Sequence, residues 1–180
     1  MRARSIAYLV ATLLISAPLW PQVHDRDPLS EKEVDELREA AMEPEKRLKL
    51  MVDFTRARMS SVEQLRSDPK EAKDRGKKIH DLLEDVSGLV DEIDDNVDNY
   101  NERDADLRKP LKEIVQMDTE FQLKLRELRA YMDDPKNSSE ANDYKFAVED
   151  VTESVNQSAD STRKLLDEQN LKFADKKKKK

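Results

Sequence analysis

The sequence predicts an all-α protein, an antiparallel bundle of about four helices behind an N-terminal signal or anchor helix. Three observations indicate this fold class: 41% of the residues are charged, only two of the 180 are glycine, and apolar residues recur at spacings of three and four. Such spacing places apolar side chains along one face of a helix. The scarcity of glycine removes the tight turns that hairpin-rich β folds require.

Residues 1–23 are predicted to be an export signal. Arg2 and Arg4 give a positively charged start, and residues 5–23 carry no charged side chain. Cleavage after Ala17 would suit signal peptidase poorly because of the residues that flank it, so removal of the signal and retention as an anchor both stay open. Either outcome delivers the rest of the chain across the cytoplasmic membrane, into the periplasm or onto the outer face of that membrane.

The exported part is predicted to contain one domain. Residues 24–30 form a linker, residues 31–173 carry the helical patterns of the bundle domain, and residues 174–180 form a polybasic tail. The chain has no cysteine, so neither a disulfide nor a lipidated cysteine is available. Helix packing alone must therefore hold the fold.

The first helical segment is predicted to begin after Ser30. Ser30 can cap the helix, and Glu33 lies three residues later, where it completes a capping box. A break is expected at Pro44, because proline suits the first turn of a new helix. The segment that follows Pro44 places one stripe of side chains on one side: Leu48, Met51, Val52, Thr55, Met59, Val62 and Leu65.

The next helix has the clearest pattern. Asp68 is predicted to cap it, with Pro69 at the first helical position and Glu71 three residues past the cap. Its apolar residues alternate spacings of four and three, which is typical of coiled-coil-like packing. This seam consists of Ile79, Leu83, Val86, Val90, Ile93, Val97 and Tyr100.

The apolar spacing continues beyond this seam, so either one very long helix or two helices would fit the pattern. Pro110 opposes a single helix, since proline in a helix interior costs about 3 kcal/mol. A turn at residues 101–106, with Asp106 as the cap, would put Pro110 in a first turn. We therefore predict a turn there, and an end of this helix near Asp133.

The last helix is predicted to start near Asn137 and to pack least well, because its seam is partly polar: Tyr144, Val148, Val151, Val155, Ser158, Thr162, Leu165 and Gln169. Asp118 occupies a seam position of the preceding helix, where an unpaired buried carboxylate would be costly. Either Asp118 reaches water through loose packing, which we favour, or it joins a buried polar layer with Ser158, Ser161 or Thr162.

The stretch DEIDDNVDNYNERDAD at residues 91–106 is dense in carboxylates, yet its apolar positions keep helical spacing. It contains no glycine, so it does not match an EF-hand loop. Asp91, Asp95, Asp98 and Glu102 share one exposed face, which we predict to bind a partner. Side chains on one rigid helix cannot surround an ion, so we expect a solvated face there and no specific metal site.

The chain carries a net charge of −7, although it ends in five lysines. The body is therefore strongly anionic, which excludes a typical nucleic-acid binder. Binding to an anionic membrane or polymer is predicted for the tail, with a purely solubilising end as the alternative; the tail comprises Lys176, Lys177, Lys178, Lys179 and Lys180. His24 and His80 belong to no metal-binding pattern, and His80 is expected to have a surface or packing role.

The chain resembles uncharacterised exported helical proteins of bacteria in its export signal and in the segments MEPEKRLKLMVDF, LLEDVSGLVDEIDDN and DTEFQLKLREL. This resemblance covers about half of the chain and brings no activity with it. No catalytic nucleophile, cofactor motif or phosphate loop is recognisable. We therefore predict a non-enzymatic envelope protein that acts in protein–protein interaction or scaffolding, alone or as a homo-oligomer. The alternative is a low-affinity cation-binding or buffering protein.

Overall fold

The computed structural model describes residues 26–68 and 74–178, with side chains through residue 174. These ranges contain six helices and no strand: α1 (Glu31–Glu39), α2 (Pro44–Ser67), α3 (Arg75–Glu102), α4 (Arg108–Met132), α5 (Ser138–Ala141) and α6 (Lys145–Lys178). The export signal predicted at residues 1–23 lies outside the described ranges. Within them, no helix is both long and apolar enough to cross a bilayer.

The four long helices form a bundle in which α2 and α6 each pack against both α3 and α4. The pairs α2/α6 and α3/α4 therefore lie on the diagonals. Arg56 in α2 bonds Glu120 in α4 at 3.0 Å, and Glu63 further along α2 pairs with Lys124 further along α4, so these neighbours run parallel. The predicted helical bundle is confirmed, but it is antiparallel only in part. The pairs α2/α3 and α4/α6 are antiparallel, whereas α2/α4 and α3/α6 are parallel neighbours because the connection from α3 to α4 crosses the diagonal.

The predicted seams form the core of the bundle. From α2, every stripe residue except the half-buried Leu65 is buried, including Thr55. From α3, the whole seam from Ile79 to Tyr100 is buried as well. The seam of α6 is partly polar, as its sequence indicates, since its buried side chains include Ser158, Thr162 and Gln169.

The capping box at the start of α1 is confirmed. Glu33 accepts a hydrogen bond from the Ser30 backbone N–H at 2.8 Å, and the Ser30 hydroxyl accepts one from the Glu33 N–H at 3.4 Å. Both Glu33 oxygens also accept hydrogen bonds from the Arg58 guanidinium at 2.5 Å. This ion pair holds α1 against α2. The predicted break is confirmed too, because α2 begins at Pro44.

Asp68 is not the N-cap of α3 as predicted, because Asp74 occupies that position. Asp68 ends α2, where its N–H bonds the Gln64 carbonyl at 3.0 Å, and α3 begins only at Arg75. The proline that follows favours the extended backbone observed at Asp68, and this conformation ends α2 there. The predicted helical positions of Pro69 and Glu71 lie outside the described residues.

The turn predicted at residues 101–106 is confirmed, since α3 ends at Glu102 and Pro110 lies in the first turn of α4. The N-cap position is occupied by Leu107, one residue later than predicted, and Leu107 makes no side-chain cap bond. The Asp106 carboxylate still supplies a capping hydrogen bond, because its Oδ1 accepts from the Arg108 backbone N–H at 3.3 Å as well as from the Arg108 side chain at 2.8 Å. The last helix also differs from the prediction: the short α5 occupies residues 138–141, and α6 starts only at Lys145.

Candidate functional site

A groove of about 480 Å³ runs between the parallel helices α3 and α6. Three carboxylates, from Asp94, Asp98 and Glu168, line this α3/α6 groove, and Lys164 is the one cationic residue among its lining residues. Val97 and Leu165 add an apolar component. The remaining lining residues are polar and uncharged: Asn101, Gln157, Ser161 and Thr162.

The acidic row predicted from the sequence, Asp91, Asp95, Asp98 and Glu102, lies on the solvent side of α3, and all four residues are exposed. Asp98 also lines the α3/α6 groove, so the row and the groove adjoin at this residue. The structure therefore confirms the predicted exposure of the row. Partner binding by these residues stays a prediction.

Asp94 is a site residue that our sequence analysis did not select. Its carboxylate turns toward α6, where Oδ1 accepts a hydrogen bond of 2.9 Å from the Ser158 hydroxyl. Burial raises the pKa of Asp94 to about 6; the Ser158 hydrogen bond opposes this rise, and repulsion from acids of the row adds to it. This carboxyl group therefore loses its proton at a higher pH than an ordinary aspartate does.

Asp118 lies deeper, on α4, and its side chain is fully buried. Neither carboxylate oxygen has a hydrogen-bond partner among the described residues. Burial raises the pKa of Asp118 to about 7, and repulsion by Asp94 acts in the same direction, whereas Arg163 and Ser158 lower it. The expectation that Asp118 reaches water is therefore wrong. The physical reason is that Asp118 faces the core, where the small side chains of α6 let the neighbouring helices close over it.

The alternative that we considered for Asp118, a buried polar layer with α6, fits the structure in part. Ser158 and Thr162 are buried, and the Ser158 hydroxyl bonds Asp94 and also lowers the pKa of Asp118. Ser161 points elsewhere, since its hydroxyl donates to the Ser158 carbonyl at 3.0 Å. The sequence signal for this layer was the run of small polar residues on α6. The relative alignment of α3 and α6, which places Asp94 beside Ser158, could not be predicted from one sequence.

A second cluster of ligand-type side chains lies near the start of α3. Single ligand atoms of His80, Asp81 and Glu84 come within 4.8 Å of one another on partly buried side chains. The Arg26 guanidinium lies 3.8 Å from Asp81 and 2.7 Å from Asp85, so positive charge already occupies this surface. All three residues of the cluster come from one helix, which makes it a poorer cation cage than a site built from several helices.

Lys176, Lys177 and Lys178 of the lysine tail belong to α6, whose helical backbone extends through Lys178. Lys179 and Lys180, and the side chains of Lys176 to Lys178, lie outside the described part of the molecule. The last described basic contact before the tail joins Lys172 to Asp104 at 2.6 Å. Binding of the tail to an anionic surface stays a prediction.

No protein family, curated protein or solved structure matches this chain. The α3/α6 groove and the carboxyl groups behind it are the parts of the described structure whose chemistry indicates a function.

Proposed function

We propose that this protein is a non-enzymatic binding module of the bacterial cell envelope, and that the α3/α6 groove with the adjoining acidic row docks a basic segment of another envelope protein. The observation that carries this proposal is the charge of the groove, whose lining holds three carboxylates and one lysine. A surface with such a surplus of one charge attracts and orients a segment of the opposite charge.

The groove also offers what a specific contact needs besides charge. Val97 and Leu165 supply apolar surface in its lining, and Asn101 and Gln157 supply side-chain amides for hydrogen bonds. A partner helix or extended segment with lysine or arginine at intervals, interrupted by a small apolar residue, fits this chemistry. The acidic row on α3 then extends the contact beyond the groove.

The location in the envelope rests on the sequence of residues 1–23, with its positive start and uncharged stretch. In this setting the lysine tail would supply a second contact, to anionic lipid or polymer, and keep the bundle near the membrane surface. The absence of recognisable catalytic motifs in the sequence supports a binding role.

Site-specific photo-crosslinking in intact cells tests the proposal. A crosslinking residue replaces Asp95 in the acidic row, and in a matched variant it replaces Glu127, an exposed acidic residue on α4. We expect one reproducible envelope protein to be crosslinked from position 95 and not from position 127. The double variant Asp95→Asn, Asp98→Asn should weaken binding of that protein, with a stronger effect at low salt. Equal crosslinking from both positions, or none, would contradict docking at this face.

Cation binding is the second candidate function. The acidic row supports it only weakly, because its four carboxylates lie on a single helix and cannot surround an ion. The carboxyl groups of Asp94 and Asp118 support it better, since they come from two different helices and Asp94 raises the pKa of Asp118.

A further inference from the structure

We propose that Asp94, Asp118 and Ser158 form a binding site for a divalent cation, with Ca²⁺ as the preferred ion, at the inner wall of the α3/α6 groove. These three residues are called the acid site below. The inference goes beyond the docking of a partner segment and does not depend on it, because the acid site lies behind the exposed acidic row.

The acid site draws its oxygen atoms from three helices. Asp94 comes from α3, Asp118 from α4 and Ser158 from α6, so the ligands are not confined to one helix face. The Asp94 Oδ1 and Ser158 Oγ atoms lie 2.9 Å apart. Oxygen ligands at about 2.4 Å from a Ca²⁺ ion have neighbours at about this separation. The existing spacing therefore resembles one edge of a calcium coordination shell.

Asp118 is the independent observation that points to a ligand. Its side chain is fully buried, and neither of its carboxylate oxygens makes a well-formed hydrogen bond to the described residues. The Ser158 hydroxyl lowers the pKa of Asp118, but its one proton is donated to Asp94. A buried polar group without a partner is costly, and native proteins almost always provide one. A cation bound between Asp118 and Asp94 would satisfy these oxygens and remove the repulsion between the two carboxylates.

The electrostatic surroundings favour a cation as well. Asp91, Asp95 and Asp98 add negative potential from the outer side of α3. Arg163 on α6 lowers the pKa of Asp118 by its positive charge. Its guanidinium contacts other groups, because it lies 3.8 Å from the Asp160 carboxylate and 3.4 Å from the Thr119 hydroxyl. On the α2 side of the core the buried polar residue is Thr55, whose hydroxyl donates to the Met51 carbonyl.

The chemistry of the ligands selects the ion. All of them are oxygens, which suits hard cations and disfavours the metals that prefer nitrogen or sulfur. Asp94 lines the groove, so an ion held there keeps a route to solvent and can complete its shell with water. Ca²⁺ accepts such irregular, partly hydrated shells more readily than Mg²⁺, which demands near-octahedral geometry.

Thermal unfolding and calorimetric titration of the full-length protein test the acid site. The protein is stripped with a chelator at pH 8, where both acids are ionised, and CaCl₂ is then added to millimolar concentration. We expect a higher Tm with Ca²⁺, since an ion that binds only the folded state stabilises it. Asp94→Asn and Asp118→Asn should lower the Ca²⁺ affinity roughly ten-fold or more, whereas the exposed control Asp95→Asn should change it little.

Several outcomes would overturn the proposal. The site does not exist if CaCl₂ leaves Tm unchanged in the wild-type protein, or if Asp118→Asn responds to Ca²⁺ as the wild type does. A loss in Asp95→Asn equal to that in Asp118→Asn would move binding to the exposed row. If Asp118→Asn fails to fold, Ser158→Ala replaces it: weaker Ca²⁺ binding supports the site, and unchanged affinity contradicts it. An equal affinity for Mg²⁺ would refute the preference for calcium.

Discussion

The Ser158 hydroxyl donates a hydrogen bond of 2.9 Å to Asp94 Oδ1 and so joins α6 to α3 beside the buried carboxyl group of Asp118. Two acids that share such a place cannot both ionise at little cost, because burial and mutual repulsion oppose the charged forms. Full ionisation of this layer is therefore costly unless a proton or a cation is bound there. The stability of the bundle should therefore depend on the pH and on the cations in the solution.

Replacement of Asp118 with asparagine is expected to stabilise the cation-free protein at pH 8. The pKa of Asp118 is about 7 in the folded protein, compared with an ordinary value of 3.8. The folded state therefore binds more protons than the unfolded chain between these values, and wild-type stability falls as pH rises through that window. The neutral amide avoids this loss, which amounts to at most about 4 kcal/mol.

Urea unfolding in the presence of a chelator, at pH 5 and at pH 8, measures this effect. The advantage of the Asp118→Asn variant over the wild type should be larger at pH 8 than at pH 5. Asp94, whose pKa is about 6, adds a loss in the same direction in both proteins. The exposed Asp95→Asn variant is the control. An advantage that is independent of pH would contradict the assignment of the titration to Asp118.

Glu33 should make the opposite contribution. Its pKa is lowered to about 2, chiefly by the hydrogen bonds from Arg58, although burial acts against this decrease. The resulting stability is present above the ordinary pKa of 4.5 and is lost as pH falls toward 2. Glu33→Gln should therefore destabilise the protein by about 1–3 kcal/mol at pH 7 and have little effect near pH 2.

The control for this substitution is Glu39→Gln, at an exposed position of the same helix. Chemical unfolding monitored by circular dichroism gives the stability, and limited proteolysis reports whether α1 detaches from α2 before the bundle unfolds. Similar losses for the two variants at pH 7 would show that the general charge of α1, and not the ion pair with Arg58, stabilises the fold.

The two glycines of the chain provide a matched pair of substitutions. A Cβ atom at Gly76 would lie 2.9 Å from the Asp143 Cβ, closer than real Cβ contacts allow, so the backbone would have to move. A Cβ atom at Gly88 meets only Pro28, at an ordinary 3.8 Å. Gly76→Ala should cost about 1–3 kcal/mol, whereas Gly88→Ala should stabilise the protein by about 0.5–1 kcal/mol because alanine favours a helix interior.

Thermal and urea unfolding of both alanine variants measures the difference. The opposite signs are the decisive result, because helix propensity alone predicts stabilisation at both positions. Stabilisation by Gly76→Ala would show that Asp143 and the start of α6 can move away from α3 at little cost.

The sequence predicted the helices well because their seams are long and regular. The breaks at Pro44 and before Pro110 followed from the chemistry of proline and are both present. The N-cap of α3 was mispredicted at Asp68, which is the residue that ends α2. Aspartate suits the position before a helix, and it also occurs in the segment that follows one. Local pattern cannot decide between them when a proline follows directly.

The candidate site was predictable only in part. Exposure of Asp91, Asp95 and Asp98 followed from the helical spacing of their apolar neighbours. The inward position of Asp94 depends on how α3 and α6 are aligned, which no periodicity within one helix reports. The burial of Asp118 depends likewise on the small side chains that face it across the core.

Gln169 should have a larger role in stability than its polar side chain suggests. It is almost fully buried, and its Oε1 accepts a hydrogen bond of 3.1 Å from the Leu107 N–H at the N-cap of α4. Its Nε2 donates to the Asn101 Oδ1 at 2.9 Å and to the Ala105 carbonyl at 3.2 Å. One side chain of α6 thus binds the connection that crosses the bundle diagonally from α3 to α4.

Gln169→Leu keeps a similar volume but leaves the buried Leu107 N–H and Ala105 carbonyl without these partners. We expect a loss of about 1–3 kcal/mol in the free energy of unfolding, with faster hydrogen exchange at the Leu107 amide. Gln157→Leu is the matched control, because Gln157 is exposed on α6 and its amide bonds only Glu153 of the same helix, at 3.2 Å. If both variants lose equal stability and the Leu107 amide stays protected, the connection between α3 and α4 is held by its apolar contacts instead.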